Sequence, residues 1–263
     1  MLNQKAIIEE KNKDITDSIN YAKQIQEALL PPQEDIEKAF KDSFVLFMPK
    51  DIVSGDFYWF VQHEDTVFIA AVDCTGHGVP GAFMSLLGDT ALNQVINHSR
   101  ISKPSEILNN LNNQIRRLLR QESEESESRD GMDIALCAID LKNNKISFSG
   151  AYRPLFHMRD GLIEEIKADR FPIGGYQIEE KNFTNKEIKI KSGDCIYMFS
   201  DGIVDQFGGE KGKKFLSKRF KEILEMNHNK KMKEQYEIIK NNFITWRSDY
   251  EQIDDVLVIG IRF

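Results

Sequence analysis

GMDIALCAIDLKNNKISFSGAYRPLFHMRDGLIEEIK, residues 131–167, is a series of short β-rich segments broken by turn residues. Lys142-Asn143-Asn144 and Arg159-Asp160-Gly161 supply the side chains that tolerate tight reversals. Strands joined this closely pair antiparallel, because a parallel pair needs a crossover of about a dozen residues. Working outward, FVLFMP (44–49), DFYWFVQ (56–62) and TVFIAAVD (66–73) add further strands, with HEDT (63–66) as a hairpin connection. KEIKIKSGDCIYMFSDG (186–202) contributes two more, and DDVLVIGIRF (254–263) is a final strand.

Two helical pairs interrupt these strands. The first spans 79–99, with Phe83, Leu86, Leu87, Leu92 and Ile96 on one side, and 104–120, where Pro104 suits a first helical position. The second pair is expected at about 213–227 and 231–246. About ten antiparallel strands with no strand–helix alternation give an α+β chain rather than a doubly wound parallel sheet. QESEESESRD (121–130) is acidic and repetitive, and reads as a flexible loop.

Residues 1–30 have neither Gly nor Pro, and Ile8, Ile15, Ala22 and Leu29 recur every seven residues, with Ile19 and Ile25 on the same side. That is the seam of an amphipathic helix ended by Pro31-Pro32. Two readings follow: a helix packed on its own domain, or a dimerising coiled coil cut from a longer chain. Residues 1–32 are therefore a helical linker and 42–263 the principal domain.

The chain of 263 residues carries net charge −7, which disfavours nucleic acid and anionic lipid as partners. Three scattered cysteines form neither a disulfide framework nor a zinc pattern, and fit a reducing, cytoplasmic compartment. No run reaches the roughly 18–20 apolar residues of a membrane span, so no membrane contact by this segment is expected.

The aspartates carry the chemistry. Asp56 interrupts the aromatic strand SGDFYWF; Asp73 ends VFIAAVD and opens CTGHG; Asp201 ends CIYMFS and precedes Gly202; Asp254 and Asp255 precede VLVIGI. Each is a carboxylate at the end of a strand expected to be central. Taken singly, such residues are turn formers or caps. Together they would repel, at about 4 kcal/mol per close pair for an effective dielectric near 20, unless cations offset them. An all-oxygen set without a Cys or His cluster selects Mg²⁺ or Mn²⁺ over zinc, and two such ions could activate water for attack on a phosphoryl group.

SGDFYWF, AVDCTGHGVPGAFMSLLG, MFSDGIVDQ and DDVLVIGI, in this order, resemble the PPM (type-2C) metal-dependent protein phosphatases, in the bacterial SpoIIE/RsbU-like branch. AYRPLFHMRDG and RFPIGG are similar to intervening segments of that branch, and the resemblance covers residues 44–263. It implies a sandwich of two antiparallel sheets flanked by helical pairs, with two Mn²⁺ or Mg²⁺ ions at one edge. By resemblance Asp56 holds a metal, often through water, Asp73 bridges, the Cys74 carbonyl adjoins it, and Asp201 and Asp254 are further ligands, with Asp255 the alternative to Asp254.

The implied reaction is hydrolysis of phosphoserine or phosphothreonine on a phosphorylated protein, anti-sigma-factor antagonists being frequent substrates in this branch. INYAKQIQEALLPP resembles a linker that joins an upstream sensor module to the phosphatase domain and forms a homodimer. A small phosphate-ester hydrolase and a non-catalytic signalling module of the same fold are the competing readings. His77 either shapes its glycine turn or acts as an acid, Asp133 either assists a metal or begins a strand, Asp205 adjoins the site, and Lys50 and Arg153 either contact phosphate or form salt bridges.

Overall fold

The computed structural model describes every residue except 1, 100–101, 124–125, 127 and 177–180. Two antiparallel sheets stack face to face. One has the order β1 (Asp42–Met48), β13 (Val256–Arg262), β10 (Cys195–Phe199), β6 (Leu155–Arg159) and β7 (Leu162–Ile166). The other runs β2 (Phe57–His63), β3 (Thr66–Cys74), β4 (Gly131–Asp140), β5 (Lys145–Ala151) and β9 (Lys186–Lys189), with β8 (Ile173–Gly174) on β4. A separate two-residue pair, β11 (Phe207–Gly208) and β12 (Lys213–Lys214), accounts with β8 for strands too short to show as sequence runs. The α+β reading and the paired sheets are therefore as the sequence indicates.

Period-two alternation assigns the two faces of each strand. On β3, Val67, Ile69 and Ala71 point between the sheets, where they meet Ile196, Met198, Leu257 and Ile259 of the opposite sheet. Phe68, Ala70 and Val72 point outward onto the helices α3 (Gly78–Ser99) and α4 (Pro104–Leu118). Tyr197, Phe199, Val256 and Val258 do the same on the other side, under α6 (Leu216–Met226) and α7 (Met232–Arg247), which supply Phe220, Leu224, Ile239 and Phe243. Both faces are covered, which explains why FIAAV and VLVIGI are continuously apolar. Each of the Val, Leu, Ile, Met and Phe side chains among these contributes about 1.5–3 kcal/mol on burial.

Two local expectations change. Phe83 is 68% exposed, whereas Leu92 and Ile96 of the expected side are buried, together with Met84 and Val95. The acidic segment 121–130 lies partly outside the described residues, and its described ends are anchored. Gln121 is fully buried, donates to Asp130 O at 2.6 Å, and accepts from Gly175 N at 2.7 Å.

The N-terminal helix is α1 (Leu2–Leu29), followed by a short α2 (Gln33–Ala39) whose Ile36 enters the inter-sheet core. Most of the α1 seam is exposed: Ile8, Ile15, Ile25 and Leu29 face solvent. Its C-terminal end is fixed through buried Gln26. The Gln26 amide donates to Ser54 O at 2.6 Å and Ser85 Oγ at 2.8 Å, and its carbonyl accepts from Ser54 N at 3.0 Å.

Candidate metal centre

Antiparallel stacking brings five strand termini to one edge: the start of β2, the end of β3, the start of β4, the end of β10 and the start of β13. The aspartates stand on these termini. Asp73 and Asp133 are cross-strand neighbours on β3 and β4. Asp201 follows β10 on the facing sheet, and its main-chain N–H donates to Asp73 Oδ2 at 3.2 Å. At that point the chain turns into the short helix α5 (Gly202–Asp205), passing so close to β13 that a Cβ on Gly202 would meet Asp255 O at 1.9 Å.

Burial acts on these carboxyls in one direction. It raises that of Asp56 well above the usual range, and the charges of Asp73, Asp255 and Asp254 push it further. Asp56 is 2% exposed, and its Oδ2 has no hydrogen-bond partner in the described structure. Asp73 is raised to about 7, first by burial; Arg153 opposes the rise, while Asp201 and Asp133 add to it. Burial also raises Asp133 and Asp254. Asp56, Asp73, Asp201 and Asp254 are thus brought together in one electrostatic cluster.

Asp255 has a different environment from its neighbour. It is 1% exposed; Oδ1 accepts from Lys50 N at 2.7 Å, and Oδ2 accepts from Gly55 N at 2.7 Å and Asp56 N at 3.4 Å. It therefore fixes the loop that presents Asp56. Asp254 Oδ1 accepts from Asp255 N at 2.9 Å, while its side chain remains partly accessible. Cys74 is buried, and burial pushes its thiol well above the ordinary range, leaving the thiol inert. A Cβ on Gly55 would lie 2.3 Å from Gly76 O and 3.4 Å from Cys74 O, so glycine is required for this close backbone approach.

The turn after β3 is fixed by Thr75, which exchanges hydrogen bonds with Gly131: N to O at 3.0 Å, and Gly131 N to Oγ1 at 2.8 Å. His77 stands at the rim. Its Nδ1 lies 2.7 Å from Asp51 Oδ2 and its Nε2 lies 2.9 Å from Lys50 Nζ, so the ammonium donates to Nε2 and the ring N–H faces Asp51. Asp205 lies off the cluster, paired with Lys214 at 2.8 Å.

The donor set is oxygen throughout, anionic in excess, and contains an orphaned buried carboxylate oxygen. Those properties fit hard divalent cations. Among the described residues, no three Asp, Glu, His or Cys side chains already form a closed ligand set. Instead, the Arg153 guanidinium lies between three of them. Its Nη2 donates to Asp133 Oδ2 at 2.7 Å and Asp201 Oδ2 at 2.8 Å, and its Nε lies 3.7 Å from Asp73 Oδ2. The sequence offered Arg153 only as a phosphate contact or a salt bridge, because the residues it joins are far apart in the chain.

A two-sheet sandwich between helical pairs, with strand-end aspartates gathered at one edge, defines a PP2C-type serine/threonine phosphatase domain. Residues 63–263 match the family model described as Stage II sporulation protein E (SpoIIE), and the chain belongs to that family. Among solved structures, the SiaA-PP2C domain of Pseudomonas aeruginosa superposes with TM-score 0.88 at 32% identity, covering 96% of this chain and 98% of that one. The PP2C phosphatase domain of SpoIIE from Bacillus subtilis, with a fragment of its regulatory domain, has TM-score 0.68 at 21% identity, covering 84% and 63%; at that identity it supports the fold alone. The phosphoserine phosphatase RsbU of Bacillus subtilis is 26% identical over 198 residues, 73% of this chain. The chain spans 55% of RsbU's length.

Proposed function

We propose that this chain hydrolyses phosphoserine or phosphothreonine on a protein substrate, using two Mn²⁺ or Mg²⁺ ions held at the aspartate edge. The observation that carries the reading is the convergence of Asp56, Asp73, Asp201 and Asp254 from four separate strand ends. Similarity to a phosphoserine phosphatase and to PP2C domains supports it, as does the metal dependence of the PP2C family.

Asp73, the Cys74 carbonyl, Asp201 and Asp254 would hold the ions, with Asp56 contributing its unpartnered oxygen directly or through water. Asp255 keeps its carboxylate on three main-chain N–H groups and serves as the strut of the loop. The ions, when bound, polarise phosphoryl oxygens and acidify water near neutral pH. The chain's own part is to gather the carboxylates at one edge, where burial favours their protonated forms until cations offset the charge. His77, held between Asp51 and Lys50, maintains the glycine turn that aims Asp73.

The exposed seam of α1 supports a homodimer, and its position before the domain suits a link to a sensor module in a longer protein. No helix among the described residues is long and apolar enough to cross a membrane; a cytoplasmic location belongs to the same proposal. Mn²⁺-dependent phosphate release from a phosphoserine peptide tests the catalytic reading, with Asp73→Asn as control. Release of at least a hundredfold above that control supports it. Equal rates, or activity confined to metabolite phosphates, would overturn it.

A further inference from the structure

Arg153 sits in the tight turn between β5 and β6. Tyr152 there has φ 55°, Arg153 N donates to Ala151 O at 2.6 Å, and a Cβ on Gly150 would meet Arg153 O at 2.5 Å. The backbone is therefore closely constrained, and the side chain leaves it in one direction. Only 16% of that side chain is exposed. It joins the two sheets: Asp133 belongs to one, and Asp201 follows a strand of the other.

The surroundings are strongly anionic. Asp56 is repelled by Asp73, Asp254 and Asp255, Asp73 by Asp133 and Asp201, and Asp254 by Asp201 and Asp255; the cations acting on these groups are Arg153 and, beside Asp254, Lys50. Two divalent ions together with these two side chains would balance six carboxylates. Arg153 is also unevenly placed. It pairs with Asp133 and Asp201 and flanks Asp73, while Asp56 has an oxygen without a partner.

We propose that Arg153 is a built-in third cation of the cluster, occupying at Asp133 and Asp201 the place a further divalent ion would take. The proposal rests on the two-ion reading above. Because both carboxylate oxygens contact the same Nη2, they lie no further apart than about 5.5 Å, the combined length of the two contacts. A divalent ion with ligands at about 2.1 Å spans oxygens about 4 Å apart. Small side-chain shifts would thus let one ion replace the guanidinium. A fixed arginine at this point keeps Asp201 oriented whatever the metal concentration, and holds the count of exchangeable ions at two. Arg153 is in this sense a positioning residue.

The test is Mn²⁺ stoichiometry of the full chain, by equilibrium dialysis with elemental analysis and by titration calorimetry. The expected counts are two ions for the wild type, three for Arg153→Ala, and two again when Asp133→Asn is added. Thermal melts establish that each variant is folded, and Arg153→Met, which keeps the length of the stem, replaces alanine if that variant fails. Two ions in the wild type and two in the arginine variant, whether or not binding tightens, would overturn this inference alone. No Mn²⁺ bound by the wild type would overturn it together with the proposed function.

Discussion

Asp73→Asn should stabilise the metal-free protein while removing its capacity to hold metal. The Asp73 carboxyl is raised to about 7, chiefly by burial, against about 3.9 in an unfolded chain. A carboxyl whose folded value is raised binds its proton more tightly in the native state, so stability falls as pH climbs from about 4 to about 7 and then levels off. Three units at about 1.4 kcal/mol each give about 4 kcal/mol, and relaxation around Arg153 reduces this to about 2–4 kcal/mol. Asparagine keeps the oxygen that accepts from Asp201 N and carries no charge. In EDTA at pH 8 the variant should melt about 4–16 °C above wild type, at about 2–4 °C per kcal/mol. The two should converge near pH 4. With saturating Mn²⁺ the order should reverse, because only wild type gains from binding. Thermal unfolding followed by circular dichroism across pH, with and without EDTA, provides the assay. A variant that melts at or below wild type in EDTA at pH 8 would refute the reasoning.

Three further outcomes follow from the structure. Asp194 is 3% exposed and accepts from Arg159 Nη2 at 2.6 Å and from Lys191 N at 2.9 Å, with His157 Nε2 at 3.1 Å. Asp194→Ala should cost about 3 kcal/mol by stranding these partners, read as a lower urea midpoint. The same contacts hold Asp194 at about 2 despite its burial. Its contribution is therefore complete above about pH 4 and lost as pH falls toward 2, which urea melts between pH 5 and 2.5 would register. Gln26→Ala removes three buried hydrogen bonds between α1, Ser54 and Ser85; it should cost about 1–3 kcal/mol and hasten proteolytic release of residues 1–29. Gly55→Ala places a Cβ 2.3 Å from Gly76 O; the displaced turn should weaken Mn²⁺ binding at least tenfold by calorimetry, with the sandwich itself retained.

Much of this was legible in the sequence, for identifiable reasons. Continuous apolarity on β3 and β13 marks strands covered on both faces, and while one aspartate ending such a run reads as a turn former or cap, several of them together point to a shared site. The cluster was legible for that reason. Arg153 was legible only as a phosphate contact or a salt-bridge former, since its partners Asp133 and Asp201 arrive from opposite sheets. Asp254 and Asp255 were indistinguishable by pattern. Their difference lies in three main-chain N–H groups from the segment 50–56 that only the fold brings to Asp255. Gln26 reads as a polar helix surface, and its burial depends on the loop at Ser54. Phe83 shares the helical spacing of Leu92 and Ile96, yet it lies near the start of α3, where it is exposed.

The central claim is that strand-end carboxylates, gathered at one edge, capture divalent cations. Anomalous scattering from crystals grown with Mn²⁺ tests it most directly. Two peaks are expected within the cage of Asp56, Asp73, Asp201 and Asp254, with the Arg153 guanidinium still on Asp133 and Asp201. A map without peaks there at saturating Mn²⁺, or with manganese bound elsewhere on the chain, would contradict it.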